Sequence, residues 1–126
     1  MGKFVMRSAK NGKIDFVLKA GNGEVIAQSQ MYADKKGCQN GIESVRKNSI
    51  AANLEDQTVE GFQTEKNPKF EVYEDKAGEF RFRLKASNGE IIATGEGYKA
   101  KKSCLNGIES IRKNAPEATL VDETEA

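Results

Sequence analysis

The chain has no histidine and no tryptophan, and only two cysteines and two prolines among 126 residues. Histidine is the side chain that most often acts as general base near neutral pH and as metal ligand, so Ser-His and Cys-His nucleophile pairs are excluded. Cys38 and Cys104 have no neighbours at metal-ligand spacing, and the carboxylates show no calcium- or zinc-site pattern. No metal or cofactor is expected, and a non-enzymatic protein is the reading. A dominant charge is missing too: 20 Lys and Arg face 19 Asp and Glu, so no global field draws the chain toward nucleic acid. No apolar run approaches the roughly 18 residues of a membrane span, and the opening MGKFVMRSAK lacks an apolar signal core. The expectation is a cytoplasmic protein without a membrane partner, its two cysteines reduced and packed as small hydrophobes.

What the sequence does contain is a repeat. A shift of 66 residues aligns Lys3–Asn48 with Lys69–Asn114 without a gap, and 25 of those 46 positions are identical. Two copies at this period indicate a pseudo-twofold pair, residues 1–64 and 65–126, joined in one compact domain, and not an open array. A monomer with internal symmetry is expected.

Each copy changes its pattern in the same order. KFVMRS and KFEVYE alternate, and in KIDFVLKA and EFRFRLKA the apolar residues Ile14, Phe16 and Leu18 match Phe80, Phe82 and Leu84 at period two. GNGEVIAQ and SNGEIIAT begin with Asn-Gly, which predicts a type I′ hairpin turn and a third antiparallel strand. The phrases CQNGIESVRKN and CLNGIESIRKN follow. Cys38, Gly41, Ile42 and Val45, like Cys104, Gly107, Ile108 and Ile111, fall at i, i+3, i+4, i+7 and predict amphipathic helices from about Asp34 to Asn48 and from about Ala100 to Asn114.

In these helices the mid-helix glycines cost about 1 kcal/mol each relative to alanine, which points to close packing on a sheet. Glu43 and Lys47, and Glu109 and Lys113, stand at the favourable i, i+4 spacing. Arg46 and Lys47 suit a last turn, and Asn48 a left-handed cap. The segments TVEGFQ at 58–63 and ATLVDE at 118–123 are candidates for a fourth strand, so each unit reads β-β-β-α-β.

The doubled NGE-strand signature followed by NGIESxRKN resembles the YegP-like bacterial proteins, a family of unknown function. The resemblance covers Lys3 to about Glu123. It implies an α+β fold in which two β3-α-β repeats share one antiparallel sheet, with both helices on one face and the C-terminal strands exchanged between repeats. It carries no catalytic residue, substrate or cofactor.

Function is therefore sought on the sheet face away from the helices. With Phe80, Phe82 and Leu84 inward, Arg81, Arg83 and Lys85 point outward and share that face with Tyr73, which makes these four the candidate binding surface. Cations beside an aromatic ring on a sheet are what single-stranded nucleic-acid platforms use. Glu71 lies beside them, and the first copy places Val5, Arg7, Asp15, Val17 and Lys19 there instead. The expectation is a small binding or protein-interaction module, with nucleic-acid binding as the alternative.

Overall fold

Alternation of apolar and polar residues places the large apolar side chains of the first two strands of each unit on one side, and in the computed structural model, which describes residues 2–9 and 11–124, those sides form a single buried surface. The elements run β1 (Lys3–Ser8), β2 (Ile14–Lys19), β3 (Val25–Gln28), α1 (Lys35–Ala51), β4 (Asn53–Asp56), β5 (Lys69–Glu74), β6 (Phe80–Lys85), β7 (Ile91–Thr94), α2 (Lys101–Asn114) and β8 (Thr119–Asp122), with a short 3₁₀ turn at Ala115–Glu117. The sheet order is β4-β5-β6-β7-β3-β2-β1-β8. It is unchanged when each strand of one repeat is swapped for its equivalent in the other.

The exchange of C-terminal strands is thus present. β4 leaves the first repeat to pair with β5, and β8 leaves the second to pair with β1. Both edge pairs are parallel, because an exchanged strand reaches its partner after a helix crosses the sheet. The remaining pairs are antiparallel.

The first fourth strand lies at Asn53–Asp56, and 58–63 is a turn segment in which Gly61 takes φ 75°. The helix ends directly into an extended Ala52, so pairing with β5 begins earlier than TVEGFQ. The Asn-Gly turns also differ from expectation. Gly23 and Gly89 have positive φ, but no asparagine does. Gly23 N–H donates to Ala20 O and Ala20 N–H to Glu24 O, the three-residue loop that closes on a left-handed glycine. Asn22 and Asn88 instead accept from Glu24 and Glu90 N–H through their side chains.

Phe4, Met6, Phe16, Leu18, Phe70, Val72, Phe82 and Leu84 form the buried sheet side against Cys38, Ile42, Val45, Cys104, Ile108 and Ile111 of the helices. A register shift between Leu18 and Lys19 lets consecutive residues Ile26 and Ala27 both enter this core, and Ile92 and Ala93 do the same beyond Leu84. Each helix touches strands of both repeats: α1 packs on β2, β5, β6 and β7, and α2 on β3 and β6.

The mid-helix glycines have a specific neighbour. A Cβ on Gly41 would collide with the hydroxyl of Tyr32, and one on Gly107 would lie 2.8 Å from that of Tyr98. Tyr32 and Tyr98 bridge back to Ile14 and Phe80 at the end of each second strand, and the Tyr32 ring stacks on Phe16 at 6.2 Å. The close approach is made by a tyrosine wedged between helix and sheet.

α1 runs three residues past Asn48, so Asn48 is helical and buried and caps nothing; its amide donates to Ser44 O at 2.8 Å, as Asn114 donates to Ser110 O. Arg46 therefore stands before the last turn. Its guanidinium lies over Phe4 at 5.1 Å and donates to Ala115 O and Pro116 O of the other repeat. Arg112 lies equivalently over Phe70 and donates to Ser49 O. Glu43 and Glu109 pair with these arginines at i+3 and not with Lys47 and Lys113, because the arginines are already anchored above the phenylalanines.

Candidate functional site

The helix-free face can be read along one row of paired residues that crosses the whole sheet. From edge to edge it runs Glu55, Glu71, Arg83, Thr94, Gln28, Val17, Val5, Val121. The pseudo-twofold axis passes between Thr94 and Gln28. Equivalent positions are thus Glu55 and Val121, Glu71 and Val5, and Arg83 and Val17. One half of this row is ionic and the other mostly apolar.

The ionic half is a closed network. Lys69 Nζ lies 2.7 Å from Glu55 Oε1 and 3.2 Å from Glu71 Oε2. Arg83 Nε donates to Glu71 Oε1 at 2.5 Å, and Lys85 Nζ lies 3.3 Å from Glu71 Oε2. The other oxygen of Glu55 accepts from Gln57, and Glu65 N–H also donates to its Oε1. Glu55 and Glu71 are 2% and 3% exposed. Burial alone would push both carboxyls up, but the hydrogen bonds from Lys69, Gln57 and Glu65 hold Glu55 at about 2, and those from Arg83 and Lys69 hold Glu71 below its ordinary value. Lys69, bonded to both, is pushed up.

The four residues singled out in the sequence are all on this face, and each is engaged. Arg81 pairs with Asp75 at 2.6 Å, and Arg83 and Lys85 pair with Glu71. The Arg83 guanidinium lies 4.6 Å over the Tyr73 ring, covering one side of it. A phosphate approaching here competes with carboxylates already in place.

The first half is built differently. Arg7 and Asp15 form a two-bond pair, Nε to Oδ1 at 3.1 Å and Nη2 to Oδ2 at 2.8 Å, and Gln28 donates to the same Asp15. Val5 and Val17 are 3% and 2% exposed although no helix covers them. Beside them Lys3 and Lys19 stand directly opposite each other across the β1–β2 pair, as Lys69 and Lys85 do across β5–β6. Among the described residues no ion pair joins Lys3 or Lys19 to a carboxylate. A pocket of about 200 Å³ lies here, lined by Lys3, Val5, Lys19, Ala20, Val121 and Glu123, with Gly21 and Gly23 at its rim. The sequence holds the signal for this contrast, a pair of lysines kept at the same positions of both copies while the carboxylate beside them is not.

Cys38 and Cys104 are buried free thiols, and burial pushes each up to about 11. Among the described residues no three His, Cys, Asp or Glu side chains gather as a metal site, and no helix is long and apolar enough to cross a membrane.

Residues 9–56 and 75–122 each match the model of a domain of unknown function, DUF1508. The chain is 38% identical to the UPF0339 protein YegP of Yersinia pestis, over 98% of this chain and 97% of that one. A UPF0339 protein of Treponema denticola is 65% identical over 54 residues, which are 43% of this chain but 93% of that protein, so relatives with a single copy of the unit exist. The solution structure of yegP from E. coli, a protein of unknown function, superposes with a TM-score of 0.81 at 33% identity, covering 99% of this chain and 95% of that one.

Proposed function

Because the chain belongs to the DUF1508 family, the UPF0339 and YegP-like proteins, whose function is unknown, we propose its function from geometry: a non-enzymatic binding module whose working surface is the first-repeat half of the helix-free sheet face. The observation that carries this is the broken symmetry of the row. In the second half Lys69, Arg81, Arg83 and Lys85 are each matched by a carboxylate of the chain itself. In the first half the equivalent lysines face valines and a pocket.

The absence of histidine and the upward-shifted, buried thiols support a binding role over catalysis, since neither thiol supplies a thiolate at neutral pH. Two unpaired buried cysteines suit a reducing cytoplasm. The internal duplication gives every exchanged strand a partner within the chain, which supports a monomer.

Single-stranded nucleic acid at Tyr73, Arg81, Arg83 and Lys85 is the second reading, favoured by the Arg83–Tyr73 stack. One experiment separates the two. Amide NMR spectra of the labelled protein are recorded with anionic, cationic and neutral fragments, and with mixed-sequence single-stranded RNA and DNA at two salt concentrations. Shifts from fragments along Val5, Val17, Gln28 and Val121 are expected. Shifts confined to the second half, seen with RNA or DNA and fading with salt, would replace this reading with the second, and a face silent to every probe would overturn both.

A further inference from the structure

The pseudo-twofold axis supplies a template for what the first-half pocket takes. Lys69 and Lys85 are cross-strand neighbours of like charge, an arrangement that costs stability unless an anion lies between them. Glu71 supplies it, one carboxylate oxygen reaching Lys69 at 3.2 Å and Lys85 at 3.3 Å. Lys3 and Lys19 repeat the pair, but the residue at the position of Glu71 is Val5 and the one at the position of Glu55 is Val121. Among the described residues no carboxylate pairs with Lys3 or Lys19, and the place that Glu71 takes in the second repeat is here a pocket floored by Val5 and Val121, with Glu123 also in its lining.

We propose that this pocket binds a small free monocarboxylic acid, its carboxylate between Lys3 and Lys19 and its apolar body on Val5, Val121 and Ala20; this rests on the reading of the first-half face as the working surface. The volume of about 200 Å³ lies below the roughly 300–1,000 Å³ of pockets that hold cofactors and drug-sized ligands, which suits a short branched acid. Arg7 and Asp15 are mutually satisfied and do not compete. Glu123 lines the same pocket and sets its selectivity: a dicarboxylate brings a second negative charge toward it, so a single charge is preferred.

The test titrates the labelled full chain with isovalerate, isovaleramide, acetate and succinate. Isovalerate shifts the amides of Val5, Lys19–Gly23 and Val121, and binds at least about tenfold more tightly than the uncharged amide, a difference of about 1.4 kcal/mol. Acetate and succinate bind more weakly than isovalerate. Lys3→Gln and Lys19→Gln, both at solvent-accessible positions, each weaken isovalerate at least about fivefold. Equal affinity for isovalerate and isovaleramide, or for isovalerate and acetate, would overturn the proposal. So would native-like binding by both lysine variants. If carboxylates fail while cationic or neutral fragments shift the same amides, this inference falls and the binding-module reading stands; if no fragment shifts them, both fall.

Discussion

Val5 and Glu71 occupy the same place in the two repeats, each on the middle strand of an edge trio and each flanked by a cross-strand pair of lysines. One residue is apolar and the other a carboxylate bonded to Lys69, Lys85 and Arg83. A single duplicated fold thus carries a self-neutralised surface on one side of its axis and, on the other, two lysines that among the described residues have no ion-paired carboxylate.

The ionic half makes stability depend on acid. Glu55 titrates at about 2 in the folded chain, below its value in the unfolded chain, so its contribution is complete above about pH 5 and is lost as pH falls toward 2. Glu71 acts in the same sense. Glu55→Gln lowers stability at pH 7 by about 1–3 kcal/mol, because buried Lys69 loses one of its two carboxylate partners and keeps only Glu71. It also narrows the difference in unfolding midpoint between pH 7 and pH 3. Thermal melts at both pH values check this, and an unchanged acid slope would contradict it.

Helix capping differs between repeats. Both helices start from an extended residue, but the Asp34 side chain accepts from Gly37 N–H at 2.8 Å, whereas the equivalent Ala100 makes no side-chain cap bond. Ala100→Asp stabilises the chain by about 1 kcal/mol and raises its melting point by about 2–8 °C. Asp34→Ala has the opposite effect of similar size. Differential scanning calorimetry of the two variants is the measurement.

Gly41→Ala gains helix propensity but meets the Tyr32 hydroxyl, and the net effect is a loss of about 1–3 kcal/mol. Gly107→Ala costs less, since Tyr98 stands farther off. Tyr32→Phe recovers part of the Gly41→Ala loss. Denaturant midpoints of the three single variants and the Gly41/Tyr32 double variant check the order.

The exchanged edges predict assembly of an isolated repeat. Residues 1–64 alone retain β4 but lack β5, its partner, and leave β1 without β8. Two copies restore both pairings, each β4 adding beside the β1 of the other copy. Sedimentation equilibrium should give a dimer, and a folded monomer would contradict the exchange as a stabilising feature.

Much of this architecture is legible in the sequence because it is periodic. Phe80, Phe82 and Leu84 fix the inward face of β6 at period two, and Cys38, Gly41, Ile42 and Val45 fix the helix stripe. The strand at 53–56 is hidden, since NLED has one apolar residue and is held by pairing with β5 and not by its own pattern. Tyr32 and Tyr98 are identical in both copies yet lie outside any periodic stretch, so their wedge against Gly41 and Gly107 appears only in three dimensions. Alternation puts Arg81, Arg83 and Lys85 on the helix-free face. Their carboxylate partners include Asp75, six residues from Arg81 across a turn, and Glu71 on the neighbouring strand, relations that depend on register.

Among the described residues no carboxylate stands between Lys3 and Lys19 as Glu71 stands between Lys69 and Lys85. Val5→Glu places one there. The variant should keep the native amide spectrum away from the pocket, gain an acid-dependent step in stability, and lose isovalerate binding at least tenfold. Native-like isovalerate affinity in a folded Val5→Glu chain would contradict the account.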